Sequence, residues 1–139
     1  MTVCEIEVLG EVVGKQRPRA SSHGGFVRMY TPQKTVNYES RIAYAWQEKY
    51  GDWHFEREME VSVNIVIHVP IPKAFSKKKR LLALNNEITP TTKPDIDNVC
   101  KSVLDGLNKV AFADDKQVYK LSAVKVYAEM PKLEINIYG

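Results

Sequence analysis

The sequence predicts an α+β fold, a mixed and mostly antiparallel sheet with helices packed on it, in the order β-β-α-β-α-α-β-β. Three observations carry this reading. Residues 59–69 alternate more clearly than any other stretch, with Val61, Val63, Ile65, Ile67 and Val69 on one side and Glu60, Ser62, Asn64 and His68 on the other. That is the pattern of a half-buried strand. Two stretches, 31–50 and 97–108, instead repeat apolar residues at helical spacing. Shorter alternating runs lie near both ends of the chain.

Taken in order, residues 3–13 place Cys4, Ile6, Val8 and Val12 on one face of a first strand, with Glu5, Glu7 and Glu11 opposite. A basic loop follows, Gly14-Lys15-Gln16-Arg17-Pro18-Arg19, then a turn at Ser21–Gly25 and a short extended piece, Phe26 to Tyr30. Thr31 and Pro32 read as N-cap and first position of a helix that Gly51 ends. Its apolar face is Tyr38, Ile42, Ala45 and Trp46, read as core rather than as a platform for bases. The strand at 59–69 stops at Pro70-Ile71-Pro72, and Ser76 caps a short helix carrying Lys77, Lys78, Lys79 and Arg80. Asn85 to Thr92 is a loop. A helix then spans about 97–108 with Cys100, Val103, Leu104 and Leu107 inward. Two strands, 117–127 and 133–138, finish the chain as an expected hairpin turning at Glu129-Met130-Pro131.

A chain of 139 residues reads as one domain, 1–139. At about this length roughly 68–70% of the unfolded surface is buried, so a core forms without disulfides or a structural metal. The composition, 44% apolar and 27% charged, is that of an ordinary globular protein. No apolar run approaches the roughly 18 residues that cross a bilayer, and the start, Met-Thr-Val-Cys-Glu, lacks the basic residues of a signal peptide. Cys4 and Cys100 read as buried free thiols. Together with His23, His54 and His68 they form no zinc-ligand spacing. The expectation is a cytoplasmic protein without a small-molecule cofactor or a membrane partner.

The aspartates are distributed unevenly. Five of the six, Asp95, Asp97, Asp105, Asp114 and Asp115, fall between Lys93 and Val118, and all eleven glutamates lie outside. Net charge is +3, but without those five the rest of the chain carries 20 basic against 12 acidic residues. A basic body draws phosphates in, and an acidic pocket needs a divalent cation before it admits one. Asp97, Lys101, Asp105 and Asn108 fall on one stripe of the helix, with Asp95 just before it. Each acid has a plain alternative: Asp95 or Asp97 as a helix cap worth about 1 kcal/mol, Asp97–Lys101–Asp105 as ion pairs of roughly 0.2–0.5 kcal/mol each, Asp114-Asp115 as a turn. These do not account for a second acidic pair that can fold back against the first. Converging carboxylates repel, and Mg²⁺ relieves this with one or two carboxylates plus water and phosphate. Lys101 can offset charge on a phosphate or steady a water. The basic loop is either a solvated connection or a phosphate contact, and the run Lys77–Arg80 either a solvated face or a DNA contact.

The motif Lys93-Pro94-Asp95-x-Asp97-Asn98-x-x-Lys101-x-x-x-Asp105-x-Leu107-Asn108, followed by Asp114-Asp115-x-Gln117-Val118, resembles the RusA-like Holliday junction resolvases of phages and prophages. Phe75–Arg80 and Gly14–Arg19 resemble the family too. The resemblance implies a homodimer that binds four-way DNA junctions and makes paired symmetric nicks, with Mg²⁺ as cofactor and Mn²⁺ as a plausible substitute. It implies Asp95, Asp97 and Asp115 as metal-binding catalytic carboxylates and Lys101 as the catalytic lysine, with Asp114 a possible further ligand. Lys15, Arg17, Arg19, Lys77, Lys78, Lys79, Arg80 and Lys93 are the expected DNA contacts. Two other readings stand beside it. One is a restriction-like nuclease, in which Pro94-Asp95 and Asp114-x-Lys116 make Lys116 the active lysine. The other is a DNA-binding module without catalysis.

Overall fold

The computed structural model of the chain describes the backbone of all 139 residues and every side chain except that of His23. In chain order the elements are β1 (Val3–Leu9), β2 (Arg19–His23), β3 (Phe26–Tyr30), α1 (Gln33–Tyr50), β4 (Val61–Pro70), α2 (Lys77–Leu84), α3 (Ile96–Leu107), β5 (Val118–Ala128) and β6 (Lys132–Tyr138). This is the expected α+β class. Four strands form a mixed sheet in the order β1-β6-β4-β5, and β2 and β3 pair apart from it. β4 lies parallel to β5 and antiparallel to β6. Its alternation works as the sequence predicts, with Val61, Val63, Ile65, Ile67 and Val69 all buried. Tyr38, Ile42 and Trp46 of α1 and Val99, Val103 and Leu107 of α3 close the core over it. No helix among the described residues is long and apolar enough to cross a membrane.

The expected hairpin of the last two strands does not form. β6 crosses over β4 and pairs with β4 and β1, leaving β5 on the edge. The three residues Glu129–Pro131 between these strands can do this because two strand spacings come to about 9.6 Å, within the reach of three extended residues. Burial decides which strand goes inside. Leu133, Ile135 and Ile137 of β6 are fully buried, whereas β5 leaves Tyr119, Leu121 and Val124 exposed.

Two further boundaries move, and one helix face turns. The first strand ends at Leu9, where Gly10 takes φ +95°, and Val12 is buried from a non-strand segment. The expected turn at 21–25 shrinks to Gly24-Gly25, both with positive φ, so Arg19–His23 becomes a strand of a two-residue-turn hairpin. The buried face of α3 is also rotated. It is Val99, Ser102, Val103, Gly106 and Leu107, with Cys100 half-buried at its margin. Gly106 sets this face, because a Cβ there would stand 3.0 Å from Ile42 Cβ and 3.1 Å from the Glu39 carbonyl. Only glycine lets α1 and α3 approach that closely.

Candidate active site

The start of α3 presents its two acids differently from a capped helix. Asp95 occupies the N-cap position with extended backbone, φ −69° and ψ 131°, yet its side chain accepts no hydrogen bond from the helix backbone. Its one side-chain partner is the Asn98 amide, 3.4 Å away. The preceding Lys93–Pro94 peptide is cis. Asp97 sits in the first turn, where its charge, after burial, helps hold the Cys100 thiol above its ordinary pKa. Both carboxylates are exposed. They line an open cleft of about 1090 Å³ with Lys15, Arg17, Arg19, Lys34, Lys93 and His68. That is at the top of the roughly 300–1,000 Å³ of small-molecule sites and open to solvent, a shape suited to a polymer rather than an enclosed metabolite.

The basic segment before β2 is bound tightly to α3. Ser102 Oγ donates to the Val13 carbonyl at 3.0 Å, and the Lys15 N–H donates to the Asn98 carbonyl at 2.8 Å. Gly14 lies so close that a Cβ on it would meet Asn98 Cβ at 2.8 Å. The Lys15 ammonium is held 2.6 Å from Asp105 and 3.0 Å from Glu39. Burial alone lowers its pKa, but these two carboxylates outweigh burial and raise it. Asp105 therefore pairs with Lys15, and not with Lys101 as helical spacing suggests. Helical spacing sees only neighbours four residues apart, and this partner is ninety residues away. The same pairing commits Lys15, an expected DNA contact, to the protein itself.

The second acidic pair divides into two roles. Asp114 begins a single 3-10 turn, Asp115–Gln117, and its carboxylate accepts the Lys116 N–H at 2.9 Å while Gln117 Oε1 accepts the Asp114 N–H at 3.1 Å. Gln117 also donates to the carbonyls of Glu56 and Met59 at 2.8 and 3.1 Å, tying the turn to the body. The Lys116 N–H is the main reason that the Asp114 carboxyl titrates below its usual range. Asp115 is exposed and titrates above it, chiefly through hydrogen bonding to Asp114, with slight burial and the charge of Asp105 adding and Lys101 opposing. Asp115 thus feels the stripe of α3 that carries Lys101 and Asp105, and Lys101 remains exposed beside it. This geometry also bears on the restriction-like reading. On a strand, residues two apart share a face, but here Asp114 and Lys116 lie on a tight turn, and the carboxylate is occupied by the Lys116 backbone.

Among the described residues no three acidic, histidine or cysteine side chains converge closely enough to enclose an ion. Magnesium does not require that, since it binds through one or two carboxylates and completes its shell with water and substrate phosphate. Asp95 and Asp97, hard-oxygen donors with neither one engaged in capping, fit such an ion.

Of the other expected DNA contacts, Arg17, Arg19 and Lys93 line the cleft. Lys77–Arg80 do not. Ser76 caps α2 through the Lys79 N–H at 3.2 Å, and the helix lies by the end of β5, with Lys79 4.2 Å over the Phe75 ring and Arg80 3.4 Å from Glu129. Phe75 packs edge-on against Tyr127. Two cleft residues escaped the sequence reading, Lys34 on α1 and His68 on β4. His68, half-buried, is 3.0 Å from Glu134. A lone lysine and a lone histidine on polar faces carry no local signal of a shared wall.

Two comparisons bear on this arrangement. The family model described as Endodeoxyribonuclease RusA matches residues 10–138. "Uncharacterized protein YqaN" of Bacillus subtilis (strain 168) is 35% identical over 139 residues, spanning 99% of this chain and 96% of that protein. The match takes in the basic segment, the aspartates at the start of α3 and the acidic turn together, and so the chain belongs to the RusA endodeoxyribonuclease family.

Proposed function

We propose that this protein is a magnesium-dependent endonuclease that resolves four-way DNA junctions, working as a homodimer that nicks two strands symmetrically. The observation that carries the reading is Asp95, an acid at an N-cap that does not cap, facing with Asp97 into a cleft walled by cations. Asp95 and Asp97 would hold the ion, Asp115 would join them once metal and substrate are bound, and Asp114 is left to its turn. A divalent cation bound there supplies Lewis-acid stabilisation of the phosphate and lowers the pKa of water. Arg17, Arg19 and Lys93 hold the DNA backbone against the cleft, where each phosphate contact also fixes register. Lys77 and Lys78, exposed on α2, extend the basic surface outward. Lys101, free of the Asp105 ion pair, meets the charge that builds on the scissile phosphate.

The test is a labelled four-way junction incubated with the protein, with and without Mg²⁺. Symmetric paired nicks that need the ion, and that Asp97→Asn abolishes while junction binding persists, support the reading. Undiminished nicking by Asp97→Asn sinks it. Lys101→Ala is expected to lose activity and Lys116→Ala to keep it, and the reverse result would transfer the chemistry to the restriction-like arrangement.

A further inference from the structure

The β2–β3 hairpin takes no part in the core. Its strands pair almost only with each other, and every described side chain on them is exposed. A two-stranded hairpin is marginal alone, so leaving apolar residues bare on one is costly unless something covers them. The residues on it are ordered by the pairing. Arg19 faces Tyr30 and Ser21 faces Arg28 across the ladder, so alternation puts Arg19, Arg28, Tyr30 and Phe26 on one face. Phe26 is 80% exposed and Tyr30 45%. The other face carries Ala20, Ser22, Val27 and Met29; the last two are exposed as well, but this face has no ring or cation.

Aromatic rings interleaved with arginines on one extended surface suit unpaired bases, whose faces stack on the rings while cations meet the phosphates. The hairpin also continues the basic wall, since Arg19 is both the first residue of β2 and a lining residue of the cleft. Paired duplex keeps its bases stacked away from such a surface, whereas the crossing point of a four-way junction opened out without divalent cation interrupts the stack.

We propose that the Phe26–Arg28–Tyr30 face is a stacking platform for bases unstacked at the branch point, so that the hairpin recognises the branch while the cleft holds the backbone. This rests on the branched-DNA reading above. The test measures junction binding without divalent cation, using 2-aminopurine at the branch point and a linear duplex of equal length for comparison. Phe26→Ala is expected to weaken junction binding on the order of tenfold, to remove the fluorescence change seen with the wild type, and to leave the salt dependence unaltered because no charge is lost. Phe26→Trp restores both signals, and Tyr44→Ala, an exposed aromatic on α1, changes neither. Wild-type affinity and fluorescence in Phe26→Ala would overturn the platform. So would a Phe26→Ala protein that light scattering shows to have dissociated while its fluorescence change survives, which would assign the face to a second copy of the chain. Nicking in Mg²⁺ is scored separately. A wild type that never nicks overturns the nuclease reading, while the Phe26 comparison still decides the platform.

Discussion

The Lys15 ammonium lies 2.6 Å from the Asp105 carboxylate, joining the segment that leads into the hairpin to the helix that carries the acids. Glu39 makes the third member at 3.0 Å, and the side chains of all three are about one-fifth to one-quarter exposed.

Lys15→Met should therefore destabilise the fold by on the order of 1–3 kcal/mol, between the ranges for exposed and buried pairs. Its pH signature follows from linkage. A lysine whose folded pKa is raised contributes stability that is fully present below its unfolded pKa, near 10.5, and is lost as pH rises through the higher folded value. Denaturation curves of wild type and variant should differ by a constant amount from neutral pH up to about pH 10 and draw together above it. A gap that widens with alkalinity would contradict the ion triad.

Asp95 separates a structural role from a functional one. Replacing an N-cap aspartate by alanine ordinarily costs about 1 kcal/mol. Here the side chain makes no cap bond, so Asp95→Ala should shift the thermal midpoint little, within the about 0.5 kcal/mol usual for surface changes, while nicking is lost. Melting curves and junction cleavage on the same preparation check both halves.

Asp114 and Asp115 should part in the opposite sense. Asparagine can still accept the Lys116 N–H as an N-cap residue, so Asp114→Asn should keep both turn and nicking to within a few-fold. Asp115→Asn should fold normally and lose more than about a hundredfold in rate, since even residues that only support metal ligands are worth 10–100-fold. Equal losses in the two variants would mean that the pair acts as one unit.

Arg17 lines the cleft and pairs with no carboxylate among the described residues. Arg17→Ala should weaken junction and duplex binding alike and flatten the log-affinity against log-salt slope by roughly 0.9. Lys15→Met should change that slope less, because its charge is already matched by Asp105 and Glu39. Titrations at three or more salt concentrations give both slopes.

Strands and helices whose residues alternate or repeat cleanly were legible in the sequence. Val61 to Val69 can be only one kind of element, and Ser76 and Gly51 mark helix ends by local chemistry. Pairings were not legible. The residues of β5 and β6 suit either a hairpin or a crossing, and the choice depends on which strand β4 accepts on each side. The site divides in the same way. Spacing along α3 put Asp97, Lys101 and Asp105 on one stripe, but Lys15 enters from ninety residues away and removes Asp105 from it. The difference between Asp95 and Asp114, both acids at the start of a helical turn, lies in backbone angles and hydrogen bonds that no residue type encodes.

β4 and β5 run side by side in the same direction, and the chain between them, residues 71–117, holds α2, α3 and every acidic residue assigned to the ion. Parallel neighbours cannot be joined by a tight turn and depend on a long crossover, whose closure entropy is lost before the pairing returns anything. The segment that carries the proposed ion ligands is therefore fixed in place only when the edge strand docks. A newly made chain that has not completed its sheet carries them as a loose string of like charges without a cation's coordination shell. Under the proposed function, cutting competence would be a property of the finished sheet, and a half-folded copy would be no hazard to the DNA around it.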